Sequence, residues 1–434
     1  MKYKKYPKYK DSGVEWIGEI PEEWEVNRLK YIFYFKKGKN AQKYTNEFVL
    51  NNPGKFPVFS GDTKDDGIIG KIDSYQYDTD DVIFVTTVGA NAMYSRKISG
   101  KFSLSQNCAI LIPKKNSTNV DYFSYLLQHI FLYEKGKISL IMQPSLRFQD
   151  LNQYYIVMST SEEEKQIAKF LEKQTTQFDE LIAKSEAQIT LLEEKRQATI
   201  TQAVTKGLDP SVPMKDSGVE WIGEIPEGWE VKRLKFTCKI NPSKSEIQKI
   251  SDDELVSFLP MELVSEEGEL ELGEIKRKDE VYSGFTYFRN DDVIVAKITP
   301  CFENGKGALC QNLKNGVGFG STEFHVLRAL NGTNPKFLYH LTRSNMFKKI
   351  GESMMFGAAG QKRVPTDFIQ NFVFGLPPIE EQIQISEFLD KQTTQFDELI
   401  AKSKAQITLL EEKRQALITA TVTGKIDVRS EVVA

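Results

Sequence analysis

Lys10–Lys30 reads KDSGVEWIGEIPEEWEVNRLK and Lys215–Lys235 reads KDSGVEWIGEIPEGWEVKRLK, with 19 of 21 positions identical. A second stretch, Lys173–Thr201 (KQTTQFDELIAKSEAQITLLEEKRQATIT), returns at Lys391–Thr419 with 27 of 29 positions identical; only Glu186/Lys404 and Thr199/Leu417 differ. The order along the 434 residues is block A, insert X, block B, block A, insert Y, block B. X, roughly 31–161, and Y, roughly 236–379, resemble each other only faintly. Stacked array repeats do not fit, because solenoid units run roughly 20 to 50 residues and need at least three copies. Two large units point instead to a pseudo-twofold object.

Block B is helical in pattern. Ser161-Glu162-Glu163-Glu164 reads as a capping box, and the run closes at Lys206-Gly207, where glycine takes the left-handed cap. The spacing predicts a helix of up to about 45 residues, with Thr175-Thr176 as a kink or a second start. Phe178, Ile182, Ser185, Ile189, Leu192, Arg196 and Thr199 alternate four- and three-residue steps, the seam spacing of a coiled coil. Phe396, Ile400, Ser403, Ile407, Leu410, Arg414 and Leu417 supply a matching seam, which a pseudo-twofold would pack antiparallel to the first. Two ordinary core helices are the alternative, since the seam is about three heptads long and carries Ser and Arg.

The fold class expected is α+β (mixed α/β), with two globular domains joined by a long antiparallel two-helix coiled coil. The domains run 1–161, with the first repeat element at 10–30, and 207–379, with the second at 215–235. Helix regions fill 162–206 and 380–434, the latter with a C-terminal tail. Block A, with Trp16 and Trp24 around Gly18 and Pro21, reads as a packing element. The linker Gly207–Met214 carries two prolines that exclude helix. X shows strands at 82–87 and 108–112 and a helix near 122–132; Y shows strands at 293–298 and 323–327 and a helix near 335–350.

The composition, 40% apolar and 27% charged, is that of a globular protein, and no apolar run is long enough for a signal peptide or membrane span. The expected compartment is the cytoplasm. Cys108, Cys238, Cys301 and Cys310 form no CxxC pair and read as reduced and mostly buried; His129, His325 and His340 lack ligand spacing, so no metal is expected. The net charge of −3 hides an uneven distribution: Met1–Ser161 holds 22 Lys and Arg against 17 Asp and Glu. The Lys/Tyr-rich first ten residues read either as a phosphate-contacting arm or as a disordered end. Gly305-Lys306-Gly307 lacks the GxxxxGK[ST] spacing of a phosphate loop.

The inserts carry loops rich in Gly, amide and basic residues. Arg and Gln are the side chains that pair with guanine and adenine edges, so the candidate DNA contacts are Asn91, Arg96, Gln106 and Arg147 in X and Lys306, Gln361, Lys362 and Arg363 in Y. Spacer-helix packing falls to Phe178, Ile182, Ile189, Leu192, Phe396, Ile400, Ile407 and Leu410.

The repeated frame, the form SGVEWIGEIPEGWEV, the segment Leu376-Pro377-Pro378-Ile379-Glu380-Glu381-Gln382, and KITPCFENGKGALC followed by GFGSTEFHVLR resemble the specificity subunits of type I restriction-modification systems over essentially the whole chain. That resemblance implies two target recognition domains, each reading one half of a split double-stranded DNA site, with the helix pair fixing the unread spacer. It also implies two modification subunits that methylate adenine N6 with S-adenosylmethionine, and restriction subunits that cut DNA with ATP; both cofactors belong to partners and none to this chain. The first copy departs from the second in having Ser159-Thr160-Ser161 where the second has Pro377-Pro378-Ile379, which is expected to change how the helix begins and not its role. No [ND]PP[FY] motif and no Walker motif is present, so the chain is expected to be non-catalytic. The rival functions are a DNA methyltransferase with a fused recognition domain and a coiled-coil interaction scaffold without DNA specificity, the latter favoured by the acidic pI of 5.9.

Overall fold

Because block A is one sequence written twice, the same hairpin opens both halves. Tyr9–Asp11 pairs antiparallel with Glu19–Pro21, and Met214–Asp216 with Glu224–Pro226. The next strand of each block A, Glu25–Arg28 or Glu230–Arg233, pairs with the strand that feeds the long helix, Tyr155–Met158 or Val373–Leu376. Trp24 and Trp229 are fully buried, and their indole N–H groups donate to the carboxylates of Glu163 (3.1 Å) and Glu381 (2.9 Å). Block A thus clamps the start of a helix.

The computed structural model describes residues 3–62, 64–138, 143–357 and 360–431. They fall into two compact units, Met1–Ser185 with Ala405–Ala434, and Glu186–Lys404. Each unit therefore contains half of each long helix.

In the first unit, insert X forms a six-stranded sheet in the order Phe33–Lys37, Cys108–Pro113, Tyr77–Thr86, Ser95–Leu104, Phe56–Phe59, Ile68–Ile72; the helix Val120–Gly136 follows in the chain. Only the Ser95–Leu104 and Phe56–Phe59 pair is parallel. In the second unit insert Y carries two four-stranded sheets: Cys238–Ile240, Phe324–Ala329, Asp292–Ala296, Gly307–Leu309, and Ile275–Arg277, Leu255–Leu259, Val317–Gly320, Thr286–Arg289. The strand order is the same in both inserts once the two ten-residue strands of X are allowed to break in Y. The breaks fall at Asp291, Asn312 and Asn315, all at positive φ, where a short polar side chain tolerates the left-handed region. The single helix expected near 335–350 is instead two, Pro335–Arg343 and Asn345–Ser353. Extended Ser344 ends the first and caps the second by accepting from the Phe347 N–H.

The long helices run Ser161–Lys206, 46 residues, and Ile379–Val422, 44 residues. Thr160, not Ser161, caps the first: its hydroxyl accepts from the Glu163 N–H at 3.3 Å. The Glu163 carboxylate is turned to Tyr6 (2.7 Å) and Trp24, which both donate to it. No second helix start occurs at Thr175-Thr176; one helix runs through them, with the Thr175 hydroxyl bonded back to the Glu172 carbonyl at 3.4 Å. Gly207 at φ +75° and Gly424 at φ +71° end the two helices. A Cβ at Gly424 would lie 2.3 Å from Pro21, so glycine is required there. Every seam position on both helices is buried or half-buried, and the residues between are exposed save for Gln197, Asp397 and Gln415. Arginine at a seam position is explained by its partner: Arg414 donates to Asp179 (2.9 Å) in the first unit, and Arg196 pairs with Asp397 in the second. In the first unit Glu163 and Gly424 both meet Trp24 while Asp179 meets Arg414, and in the second Gly207 lies beside Glu381 while Arg196 meets Asp397, so within each unit the halves run antiparallel.

The N-terminal segment is packed over its described residues. Tyr6 is buried against Trp24, Tyr3 packs on Phe170, and Lys4 bridges to Asp427 of the tail, while Lys4, Lys5 and Lys8 stay exposed. Residues 1 and 2 lie outside the described residues. Cys108, Cys238 and Cys310 are buried and Cys301 is half-buried, none in a disulfide. Burial pushes the thiols of Cys108 and Cys238 up to about 12, which keeps them unreactive at neutral pH.

The Ser159/Pro377 departure changes the partner of the fourth helical residue. Gln382, fully buried, donates to the carbonyls of Pro377 (2.8 Å) and Gly332 (3.0 Å) and accepts from the Asn334 N–H (2.8 Å). Its counterpart Glu164 is similarly enclosed, and one carboxylate oxygen finds no partner. Burial, followed by the charge of Glu163, raises its pKa to about 7. The folded chain therefore holds a proton that the unfolded chain releases near the usual 4.5, so stability falls as pH rises from 4.5 to 7 and the full cost is present above 7. Glu164→Gln is expected to stabilise the first unit by about 2 kcal/mol at pH 8 and by little at pH 4.5. Thermal melts at the two pH values check this; an equal gain at both would mean that charge is not the cause.

Candidate nucleic-acid interface

Four loops meet at one end of the sheet in the first unit, held by backbone bonds. Ser105 N donates to Phe59 O (2.8 Å), Thr87 N to Asn107 O (2.7 Å), Gly89 N to Pro144 O (3.2 Å) and Leu146 N to Thr87 O (2.7 Å), with a bridge between Val88 and Ser145. In the second unit the same set recurs: Ser321 N to Leu259 O (3.2 Å), Lys297 N to Glu323 O (2.8 Å), Thr299 N to Lys362 O (3.0 Å) and Val364 N to Lys297 O (2.9 Å), with a bridge between Ile298 and Arg363. Two inserts of dissimilar sequence thus build one backbone frame, and different side chains stand on it.

Three of the four X residues singled out from the sequence lie in or beside these loops. Asn91 is half-buried and its amide reaches the Gly61 carbonyl at 3.4 Å; Gln106 and Arg147 are exposed. Arg96 lies on the Ser95–Leu104 strand and is largely spoken for: its guanidinium lies over Phe59 (5.0 Å) and Phe84 (5.7 Å) and pairs with Asp66 at 3.3 Å. In Y, Gln361 and Lys362 are exposed, and Arg363 is half-buried. The Arg363 guanidinium donates from Nε (3.0 Å) and Nη2 (2.9 Å) to Glu323, which holds that carboxyl below its ordinary range. This fork fixes the arginine while leaving Nη1 only a long bond, 3.4 Å, to the Gln361 carbonyl. Lys306 is half-buried, with Nζ donating to the Met261 carbonyl at 3.0 Å. Ala358 and Ala359, in the glycine-flanked loop before Gln361, lie outside the described residues.

Sequence reading missed Glu323, whose side chain orients Arg363 and whose carbonyl takes part in the frame; it lies within the segment GFGSTEFHVLR, but its partner Arg363 is 40 residues away. The histidines have structural surroundings. His325 is buried, Nε2 lies 3.0 Å from the Val364 carbonyl, and burial pushes its pKa down to about 4. His340 is buried against Asp390 at 2.9 Å, and His129 faces the Thr419 hydroxyl at 3.0 Å. No cluster able to hold a metal ion occurs among the described residues, and none of their helices is long and apolar enough to cross a membrane.

Of the spacer residues, Ile400 is buried and Phe178, Ile182, Ile189, Leu192, Phe396, Ile407 and Leu410 are half-buried. Leu181, Leu191, Leu399 and Leu409 are exposed, so each unit presents one leucine from each helix, Leu181 and Leu409 in the first and Leu399 and Leu191 in the second.

A family model described as the type I restriction modification DNA specificity domain matches the chain twice, over residues 21–191 and 226–409. The EcoAI type I restriction enzyme specificity subunit of Escherichia coli is 46% identical over 165 residues, covering 37% of this chain and 27% of that protein. The EcoEI specificity subunit, also of Escherichia coli, is 39% identical over 202 residues, 46% of this chain and 33% of that protein. The matched stretches therefore span about a quarter to a third of those two relatives. The putative MjaX specificity subunit of Methanocaldococcus jannaschii is 26% identical over 452 residues, 95% of this chain and 96% of that protein. A solved structure described as showing complex assembly and conformational transition of the type I R-M system shares the fold, with a TM-score of 0.63 at 14% identity over 93% of this chain and 98% of that one.

Proposed function

The chain belongs to the type I restriction modification DNA specificity family, and we propose that within it this member reads a two-part DNA sequence and positions catalytic partners on it. Each unit reads one half-site through its loop cluster. The observation that carries this reading is the shared backbone frame: one scaffold, built twice, presents Asn91, Gln106, Ser145 and Arg147 in one unit and Gln361, Lys362 and Arg363 in the other. Different side chains on equal scaffolds are what two unlike half-sites require, because base edges are read by side-chain donors and acceptors.

The chain itself carries no methyl-transfer motif, and the task left to it is placement: a flipped adenine must reach the active site of a partner. Two modification subunits, which bring S-adenosylmethionine, dock on the helical region, where the exposed leucine pairs give each unit an equivalent apolar foothold. Restriction subunits, which bring ATP, join that complex. The modest acidity is compatible with this role when partners supply much of the phosphate neutralisation.

Methylation-sensitive sequencing of host DNA in cells carrying the complete complex tests the reading. A split motif is expected, and Arg363→Ala is expected to cost about 1–3 kcal/mol and to relax bases in one half only. Turnover of a labelled methyl donor by the purified, partner-free chain, or an unsplit motif, would sink it.

A further inference from the structure

We propose that Gln143 and Gln361 make the same contact in the two half-sites, each pairing with an adenine through its N6 and N7 edge, so that both halves of the sequence carry an adenine at an equivalent place. This rests on the reading of the chain as a DNA-recognition subunit and adds a residue and a base to it.

The equivalence comes from the frame. Gln143 directly precedes Pro144, whose carbonyl accepts from Gly89; Gln361 directly precedes Lys362, whose carbonyl accepts from Thr299. Two residues beyond each glutamine, Ser145 bridges Val88 as Arg363 bridges Ile298, and the next N–H in each copy, from Leu146 or Val364, donates to Thr87 or Lys297. Gln143 and Gln361 therefore leave corresponding points of corresponding loops. Their neighbours on the same frame differ: Asn107 stands where the second unit has Glu323, Ser145 where it has Arg363, and Arg147 where it has Pro365. Ser105 and Ser321, which also correspond, are buried and half-buried; of the exposed positions compared, the glutamine is the one kept in both units.

Both amides are exposed, and neither is engaged by another described residue. A glutamine amide sets one donor and one acceptor side by side in a plane, which matches the acceptor N7 and donor N6 of adenine in the major groove. The divergent neighbours supply what differs between the half-sites. Arg363, forked onto Glu323, is set for a guanine in the second, and the first has no arginine at that place.

The test uses the assembled complex with its modification partners and a duplex carrying the mapped motif, in which single adenines are replaced by 7-deazaadenine to remove the N7 acceptor. One replacement in each half is expected to weaken binding by about five- to hundredfold. Gln143→Ala is expected to lose a similar factor on the unmodified duplex and to become indifferent to 7-deazaadenine in the first half only; Gln361→Ala is expected to do so in the second half only. Retained sensitivity in the variants, no sensitive adenine in either half, or an equal loss on every sequence, as a phosphate contact would give, overturns the proposal. Absence of any sequence preference in the wild-type complex overturns the DNA-recognition reading itself, so the two failures are distinguishable.

Discussion

Four residues inserted after Ser185 and four more after Lys404 are expected to leave both half-site sequences intact and to lengthen the unread spacer between them by one or two base pairs. Each inserted residue lengthens a helix by about 1.5 Å and rotates its downstream half by about 100°. Four residues add about 6 Å and nearly restore the facing direction; along B-DNA at about 3.4 Å per base pair that is one or two steps. Two residues in each helix rotate the continuation by about 200° and move the 3.5-residue seam off its partner, so binding to the split site is expected to be lost. A flexible tether would accept both insertions and several spacer lengths. Motif mapping in cells distinguishes these outcomes: an unchanged spacer in the four-residue variant, or normal activity in the two-residue variant, means that the helices do not set the distance.

The site of insertion matters. From the sequence, the natural place is just before Gly207, where block B ends. Ile200, Ala203 and Val204 are buried there in the core of the second unit, together with Trp229 and Ile385. An insertion at that point would disrupt a domain rather than extend a ruler. The two units part at Ser185/Glu186 and at Lys404/Ala405, midway along both helices, and both helices must be lengthened together to keep Asp179 opposite Arg414 and Arg196 opposite Asp397.

How much of this is legible in the sequence depends on whether the signal is local. The seam Phe178, Ile182, Ser185, Ile189, Leu192, Arg196, Thr199 is legible because helix geometry alone puts those residues on one stripe. The break at Ser344 is not, because the residues on either side fit one helical pattern and Ser344 leaves it to cap the next turn. The common strand order of X and Y is hidden by insertions, and by the two long strands of X being cut at Asp291 and near Asn312 and Asn315 in Y. The loops are recognisable by composition, but the state of each side chain in them depends on residues elsewhere along the chain. Lys306 meets the Met261 carbonyl, Arg96 lies over Phe59 and Phe84, and Arg363 is gripped by Glu323; none of these partners is a near neighbour in sequence. The same limit explains why Gln361 stands out in the sequence and Gln143 does not: Gln143 lacks adjacent basic residues, and the backbone frame shows that the two leave corresponding loops.

Asp292→Ala is expected to unfold the second unit locally and abolish reading of its half-site while the first unit stays folded. Asp292 is fully buried at the start of the strand Asp292–Ala296, directly across from Arg328 on Phe324–Ala329. Arg328 donates to it from Nε and Nη2, both at 2.7 Å, and the Arg289 N–H adds a third bond at 2.9 Å. Removing the carboxylate leaves a buried guanidinium with only Glu246 as a counter-charge. Breaking one side of such a pair costs about 3–5 kcal/mol, which for a unit of this size lowers its melting transition by about 10 °C. The same strand continues into Lys297 and Thr299, whose N–H groups hold Glu323 and Lys362 in the reading frame, so loss of the pair reaches the loops through the backbone. Replacing both partners, Asp292→Leu with Arg328→Met, removes the charges together and is expected to recover most of the stability, since a buried ion pair contributes little net energy against an apolar pair of similar size. Calorimetry of the three proteins separates the possibilities. If the single variant melts like the wild type, the pair is dispensable; if the double variant is as unstable as the single, the three hydrogen bonds, and not the uncompensated charge, carry the effect.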